Sequence, residues 1–399
     1  MAGRSVVFGA VGDIDLSRAS ADAIKANGHD WPFARLMPAL ADADVLFGNL
    51  ESVVLPAGYP DAQIDPQGLV SKFDGTPVLK AARFDIINLA QNHILDGGRV
   101  GMFHTRRLVE GLGIPTAGIG RTQREARRMV VVERGGLRLG FLCYCEDTNY
   151  SLSTAGPCHA YYELPAVLED VRRCRGKVDV LVVSIHADLE FMETPSTPRR
   201  EGFRRIARAG ATLVLGHHPH VPQGVERIGD SLVAYSLGNC FFRAHSMNYM
   251  RGNLPHTGHS FILLAEVARR RVKSFKRIPF AIAKPPDERP VPLEGAERRK
   301  MLAYLSKLDC DVRNDRTVAA NWRAKALRML DAYIEKFRKT DREEMLHDWL
   351  GRLGLVAENR GWVGEVMNVV CENWARQAAT QDPLHRPHYA LTNRKREKT

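Results

Sequence analysis

At 399 residues, with 44% hydrophobic and 26% charged side chains, the chain has the make-up of a folded globular protein, which excludes disordered, collagenous and fibrous classes. Its formal charge of +11 is spread along the sequence with no Arg or Lys block interleaved with aromatics, so an acidic partner is expected and nucleic acid is not. No apolar run reaches the roughly 18 residues of a membrane span, and Met1-Ala2-Gly3-Arg4 leads straight into a short strand-like run instead of the apolar stretch of a signal peptide, so a cytoplasmic protein is expected.

In chain order, apolar runs of strand length each end in polar groups that a buried strand does not need. The run over 6–11 leads into Gly12-Asp13-Ile14-Asp15, that over 45–47 into Gly48-Asn49-Leu50-Glu51, and that over 86–90 into Gln91-Asn92-His93. A helical pattern over 103–112 follows, then an apolar run holding Cys143 and Cys145; with seven cysteines and no CxxC spacing, these two read as core thiols. After a second helical pattern over 164–174, the run over 180–185 ends in His186 and that over 213–215 in Gly216-His217-His218-Pro219-His220. A further run over 232–235 ends in Ser236-Leu237-Gly238-Asn239. Strands alternating with helices predict a mainly parallel α/β sheet, whose strand carboxyl ends gather ligand-binding residues on one rim. Three histidines within four residues, beside Asp, Glu, Asn and His at other strand ends, predict a divalent cation site, since carboxylate, amide oxygen and imidazole together suit manganese, iron or zinc.

The catalytic unit is expected over 1–283, closed by the proline-rich, charged run over 284–290 read as a linker. A helical C-terminal region is expected over 284–380. Trp322, Ala326, Met329, Leu330, Tyr333 and Phe337 lie on one helical face there, and Val363, Val366, Val370 and Trp374 on a second. A basic, flexible tail is expected over 381–399.

Six motifs in order resemble those of the CapA family of poly-γ-glutamate capsule synthesis: Gly12-Asp13, Asn49-Leu50-Glu51, Asn92-His93-x-x-x-Asp96-x-Gly98, His186-x-x-x-Glu190, Gly216-His217-His218-Pro219-His220 and Tyr235-Ser236-Leu237-Gly238-Asn239. The resemblance covers about residues 5–283. It implies a calcineurin-like metallophosphoesterase fold, a sandwich of two β-sheets flanked by helices. It further implies two divalent metal ions on Asp13, Asp15, Glu51, Asn92, His186, His218 and His220, with Asp15 standing where the superfamily has the histidine of Asp-x-His. His93, Asp13 and Glu190 are the implied catalytic groups, and Asn49, Asn239 and His217 the expected substrate contacts. Asp96 and Gly98 read as the turn that positions the helix after His93. The leading expectation is a metal-dependent hydrolase of a phosphoester or of an amide of an acidic polymer such as poly-γ-glutamate. The alternatives are a peptide Cα epimerase of ribosomal peptide tailoring, using the same Asp and His groups without metal, and a non-catalytic accessory protein of capsule synthesis.

Overall fold

Uninterrupted Val, Ile, Leu and Phe build strands that are buried on both faces, as parallel strands covered above and below require. In the computed structural model, which describes residues 4–64, 66–146, 158–339 and 357–380, β1 (Ser5–Ile14), β2 (Val45–Leu50), β3 (Ile86–Asn88) and β4 (Thr116–Ala117) run parallel to one another. A second sheet takes β5 (Val130–Arg134), β6 (Leu137–Cys145), β7 (Val180–His186), β8 (Leu213–His217), β9 (Val225–Ile228) and β10 (Ser231–Ala234), in the order β9-β10-β8-β7-β6-β5. The chain then returns to the first sheet. There β11 (Asn239–Phe241) pairs in parallel with the end of β1, while β12 (His259–Ala268), β13 (Arg271–Ile282) and β14 (Pro290–Pro292) extend the sheet antiparallel, giving β14-β13-β12-β1-β2-β3-β4. The expected α/β sandwich of two sheets flanked by helices is therefore present. The second sheet is parallel at its centre and antiparallel at both edges, whereas the first is parallel from β1 to its β4 edge and antiparallel from β1 to its β14 edge.

The sheets face each other across a core in which Phe8, Phe47 and Phe141 pack with ring centroids 6.0 to 6.4 Å apart. Helices α1 (Arg18–Asn27) and α2 (Gly98–Gly111) cover the outside of the first sheet through Ile24, Met102 and Val109. Helices α3 (Leu164–Cys174) and α4 (Thr197–Ala209) cover the second through Val167, Val171, Phe203 and Ile206. The start of α4 is set by Ser196, whose Oγ accepts from the Arg199 N–H, and its end by Gly210 at φ 118°. Cys143 and Cys145 are buried, as expected.

The run over 284–290, expected as a linker, is folded against this body. Glu288 is fully buried and pairs with Arg243 at 2.7 Å, β14 hydrogen-bonds to β13, and α5 (Gly295–Arg313) sends Met301, Leu305 and Leu308 into the core between the sheets. Sequence alone reads prolines and charges there; the partner that buries Glu288 lies 45 residues away in sequence. Beyond it, α6 (Asp315–Lys339) and α7 (Ala357–Thr380) pack on each other. Trp322, Ala326 and Trp362 form a buried cluster flanked by Met329, Leu330, Tyr333, Val363 and Val366, so the two predicted stripes meet, with Val370 left exposed. The side chains of Phe337 and Trp374 and the tail over 381–399 lie outside the described residues. Among the described residues no helix is long and apolar enough to cross a membrane.

Candidate metal centre

Two close backbone approaches bring the motifs together. A Cβ on Gly12 would stand 1.8 Å from the Gly238 carbonyl oxygen, and one on Gly216 would stand 1.7 Å from that of Tyr235. Only glycine permits either contact, and through them the segment over 235–239 wedges between the ends of β1 and β8, with the Asp13 N–H donating to Gly238 O at 2.9 Å and the Leu237 N–H to Gly216 O at 3.1 Å. Asp188, Phe191, His218 and His220 all have positive φ, from 57° to 94°, which folds the segments after β7 and β8 back over the strand ends. Non-glycine residues hold that conformation only where their surroundings impose it, and such positions cluster at functional sites.

The strand ends converge on one buried group. His186 Nε2 lies 2.8 Å from Asn92 Oδ1, 3.2 Å from His218 Nδ1 and 3.6 Å from Glu51 Oε1. His220 Nε2 faces Glu51 Oε1 at 3.6 Å and Glu190 Oε1 at 3.9 Å, while its Nδ1 is held at 2.8 Å from Asn239 Oδ1. Asp13 accepts from Asn49 Nδ2 at 2.8 Å and from the His218 N–H at 3.2 Å. Ligand atoms within 4.8 Å of one another form three overlapping sets: Glu51, His186 and His218; Glu190, His218 and His220; Asp13, Glu51 and His220. Glu51, His218 and His220 each belong to two of them.

The electrostatics of this group are unbalanced. Burial raises the Glu51 carboxyl well above the usual range, and the charges of Asp13 and Glu190 add to it; neither of its oxygens has a hydrogen-bond partner among the described residues. Burial also acts to raise Asp13, but His217, His220 and the His218 N–H outweigh it and hold Asp13 below the usual value. His217 Nδ1 stands 3.2 Å from Asp13 Oδ1. Burial depresses His186, His218 and His220, with His218 falling to about 3, and the neighbouring imidazoles reinforce this for His186. A buried charge without a partner costs several kcal/mol. Orphaned carboxylate oxygens facing neutral imidazoles are the complement of a divalent cation, and the donor set fits one.

Asp13, Glu51, Asn92, His186, His218 and His220 are thus brought together, and Glu190 joins them from the rim, where its side chain is 24% exposed and the protein around its carboxyl pushes it up to about 7. Asp15 is not brought in: its oxygens accept from the Ser17 N–H and Oγ and from Ser20 Oγ at the start of α1, and burial raises it to about 6. Asn49, Asn239 and His217 are wholly buried beside the ligand side chains, where Asn49 holds Asp13 and Asn239 holds His220. His93 stands at the rim, its Nδ1 2.7 Å from Asp96 Oδ2. Asp96 also accepts from the Leu69 N–H at 2.6 Å, so it orients His93 as well as shaping the turn before α2; the His-x-x-Asp spacing was the available signal for that role.

The profile of the family described as bacterial capsule synthesis protein PGA_cap matches residues 7–244. The chain belongs to the PGA_cap family. It is 27% identical over 241 residues to the capsule biosynthesis protein CapA of Bacillus anthracis, covering 58% of each chain. To the PGA biosynthesis protein CapA of Bacillus subtilis it is 26% identical over 238 residues, covering 58% of this chain and 62% of that one. The chain therefore spans less than two thirds of the length of these curated relatives. Among solved structures, a 5'-nucleotidase precursor from Thermus thermophilus aligns with a TM-score of 0.44 at 14% identity, over 78% of this chain and 60% of that one. Every residue placed at the centre of this PGA_cap chain lies within the matched span.

Proposed function

We propose that this PGA_cap chain is a metal-dependent hydrolase acting on an amide of an acidic polymer such as poly-γ-glutamate, or on a phosphoester. The observation that supports it is Glu51, buried with two unpartnered oxygens between the imidazoles of His186 and His220. Asp13, Glu51, Asn92, His186, His218 and His220 would hold two divalent ions, manganese, iron or zinc, with Glu190 as a further carboxylate. Such cations supply Lewis acidity, lowering the pKa of water towards about 7 and drawing charge from the attacked centre. The residues of the chain do the rest. Asn49 and the His218 N–H fix the Asp13 carboxylate, and Asn239 fixes the His220 ring so that Nε2 faces the site. His93, fixed through Nδ1 by Asp96 at the rim, would give a proton to the departing amine or alkoxide. The excess of basic residues and the capsule-synthesis names of the relatives favour a polyanionic substrate.

The test is turnover by the full chain supplied with manganese, iron or zinc. Cleavage of poly-γ-glutamate, or nitrophenolate release from bis(p-nitrophenyl) phosphate, is expected to disappear on chelation and in His93→Ala. Metal-loaded protein that cleaves neither contradicts the proposal, and Cα deuterium exchange in a peptide by metal-free protein would replace it with the epimerase reading.

A further inference from the structure

The family match ends at residue 244, before α6 begins, yet α6 reaches the segment between β7 and α4 that carries Glu190. We propose that α6, through Lys325 and Trp322, positions Glu190 at the metal centre, which makes the C-terminal helices part of the working site. This rests on the metal reading above.

The segment over 187–196 has two non-glycine residues at positive φ, Asp188 at 92° and Phe191 at 58°, so its course must be imposed from outside. One side of it is fastened to the strand ends, by the Ala187 N–H donating to His217 O at 3.1 Å and the Phe191 N–H to Pro219 O at 2.9 Å. Its other side is fastened to the helices. Leu189 and Met192 are buried against Trp322 and Ala326 of α6 and Trp362 of α7. Asn321 Nδ2 donates to Thr194 Oγ1 at 3.2 Å, and Lys325 Nζ donates to the Glu190 carbonyl oxygen at 2.9 Å.

Between these two sets of attachments the chain turns its side chains both ways. Leu189 and Met192 face the helices, while Glu190 reaches His220 and the Phe191 ring lies 6.3 Å from that of His220. The Lys325 bond is therefore made to the main chain of the one residue in the segment whose carboxylate joins a ligand set. Packing alone would need only the apolar contacts. A charged donor on this carbonyl fixes where the Glu190 Cα sits, and so where its carboxylate can reach.

Lys325→Met keeps the stem and removes the donor, and Lys325→Arg returns one. Both are made in the full chain and read by hydrogen exchange of the amides over 188–193, without and with Mn2+, and by Mn2+ titration. Lys325→Met is expected to speed exchange in this segment about tenfold and to weaken one bound ion about tenfold while leaving the other. Lys325→Arg restores both readouts, and Glu190→Gln weakens the same ion without loosening the segment. Wild-type exchange rates in Lys325→Met, or faster exchange with both ions held at full affinity, overturn the proposal. Wild-type protein that binds no Mn2+, zinc or iron defeats the metal reading instead, and the positioning role of Lys325 towards Glu190 falls with it.

Discussion

Glu51 and Glu288 are both fully buried, in opposite surroundings. Glu288 receives the N–H groups of His245 and Ser246 at 2.9 Å each and the Ser246 hydroxyl, and it is ion-paired with the Arg243 guanidinium at 2.7 Å, so its charge is matched. Glu51 receives no hydrogen bond from the described residues and faces imidazoles that burial keeps neutral. The first arrangement fastens the run over 284–290 to the sandwich. The second leaves a charge deficit at the point where the strand ends meet. A carboxylate closed off by donors is a structural lock, whereas one left open among imidazoles is a place for a cation.

The largest effect expected from breaking this comparison is at the lock. Glu288→Ala strands the Arg243 side chain, which is only 14% exposed, and leaves the His245 and Ser246 N–H groups without their acceptor, and should lower unfolding free energy by about 3 to 5 kcal/mol in chemical denaturation. Metal content should not change.

His159 sharpens the comparison, being buried with no hydrogen bond from the described residues at either ring nitrogen and lying outside every ligand set they form. Burial lowers it from 6.5 to about 4, so the unfolded chain takes up the proton first as pH falls. Its contribution to stability is whole above pH 6.5 and is lost as pH drops through 4, about 3 kcal/mol in all. The stability-versus-pH curve of His159→Gln should be flatter across that window, and an unchanged slope would assign the acid sensitivity elsewhere.

At Glu51 the sign reverses. Because burial raises its folded-state value, ionisation of Glu51 in the metal-free protein works against folding as pH rises. Glu51→Gln should leave the metal-free protein unchanged or stabilise it by about 1 kcal/mol, while at least one ion is lost by elemental analysis. Destabilisation on the scale of Glu288→Ala would show that Glu51 is a second lock.

The smallest effect is expected at Asp15. Asn replaces Asp well at the start of a helix, so Asp15→Asn should change stability by under about 0.5 kcal/mol and leave metal content unaltered. Loss of an ion in this variant would return Asp15 to the ligands.

The residues at the strand ends were legible because parallel strands place their carboxyl ends on one rim, and Asp13, Glu51, Asn92, His186, His218 and His220 each follow an apolar run. Which way each side chain points was not. Strand alternation predicts Asp13 and Asp15 on one face, but the pairing of β1 slips between Asp13 and Ile14, and Asp15 turns to the serines of α1. Asn49 and Asn239 were visible as polar strand-end residues, though their hydrogen bonds to ligand side chains depend on partners 36 and 19 residues away. The hold of Lys325 on Glu190 spans 135 residues, and no local pattern carries such a contact.

The unpartnered Glu51 carboxylate and the imidazoles around it are expected to hold divalent cations. Elemental analysis of the full chain, purified without chelator and then supplied with manganese, iron or zinc, tests it most directly. The account predicts close to two ions per chain, reduced in Glu51→Gln and unchanged in Glu288→Ala. Fewer than about 0.2 equivalents after supplementation, far below what a donor set of this kind should retain, would contradict it.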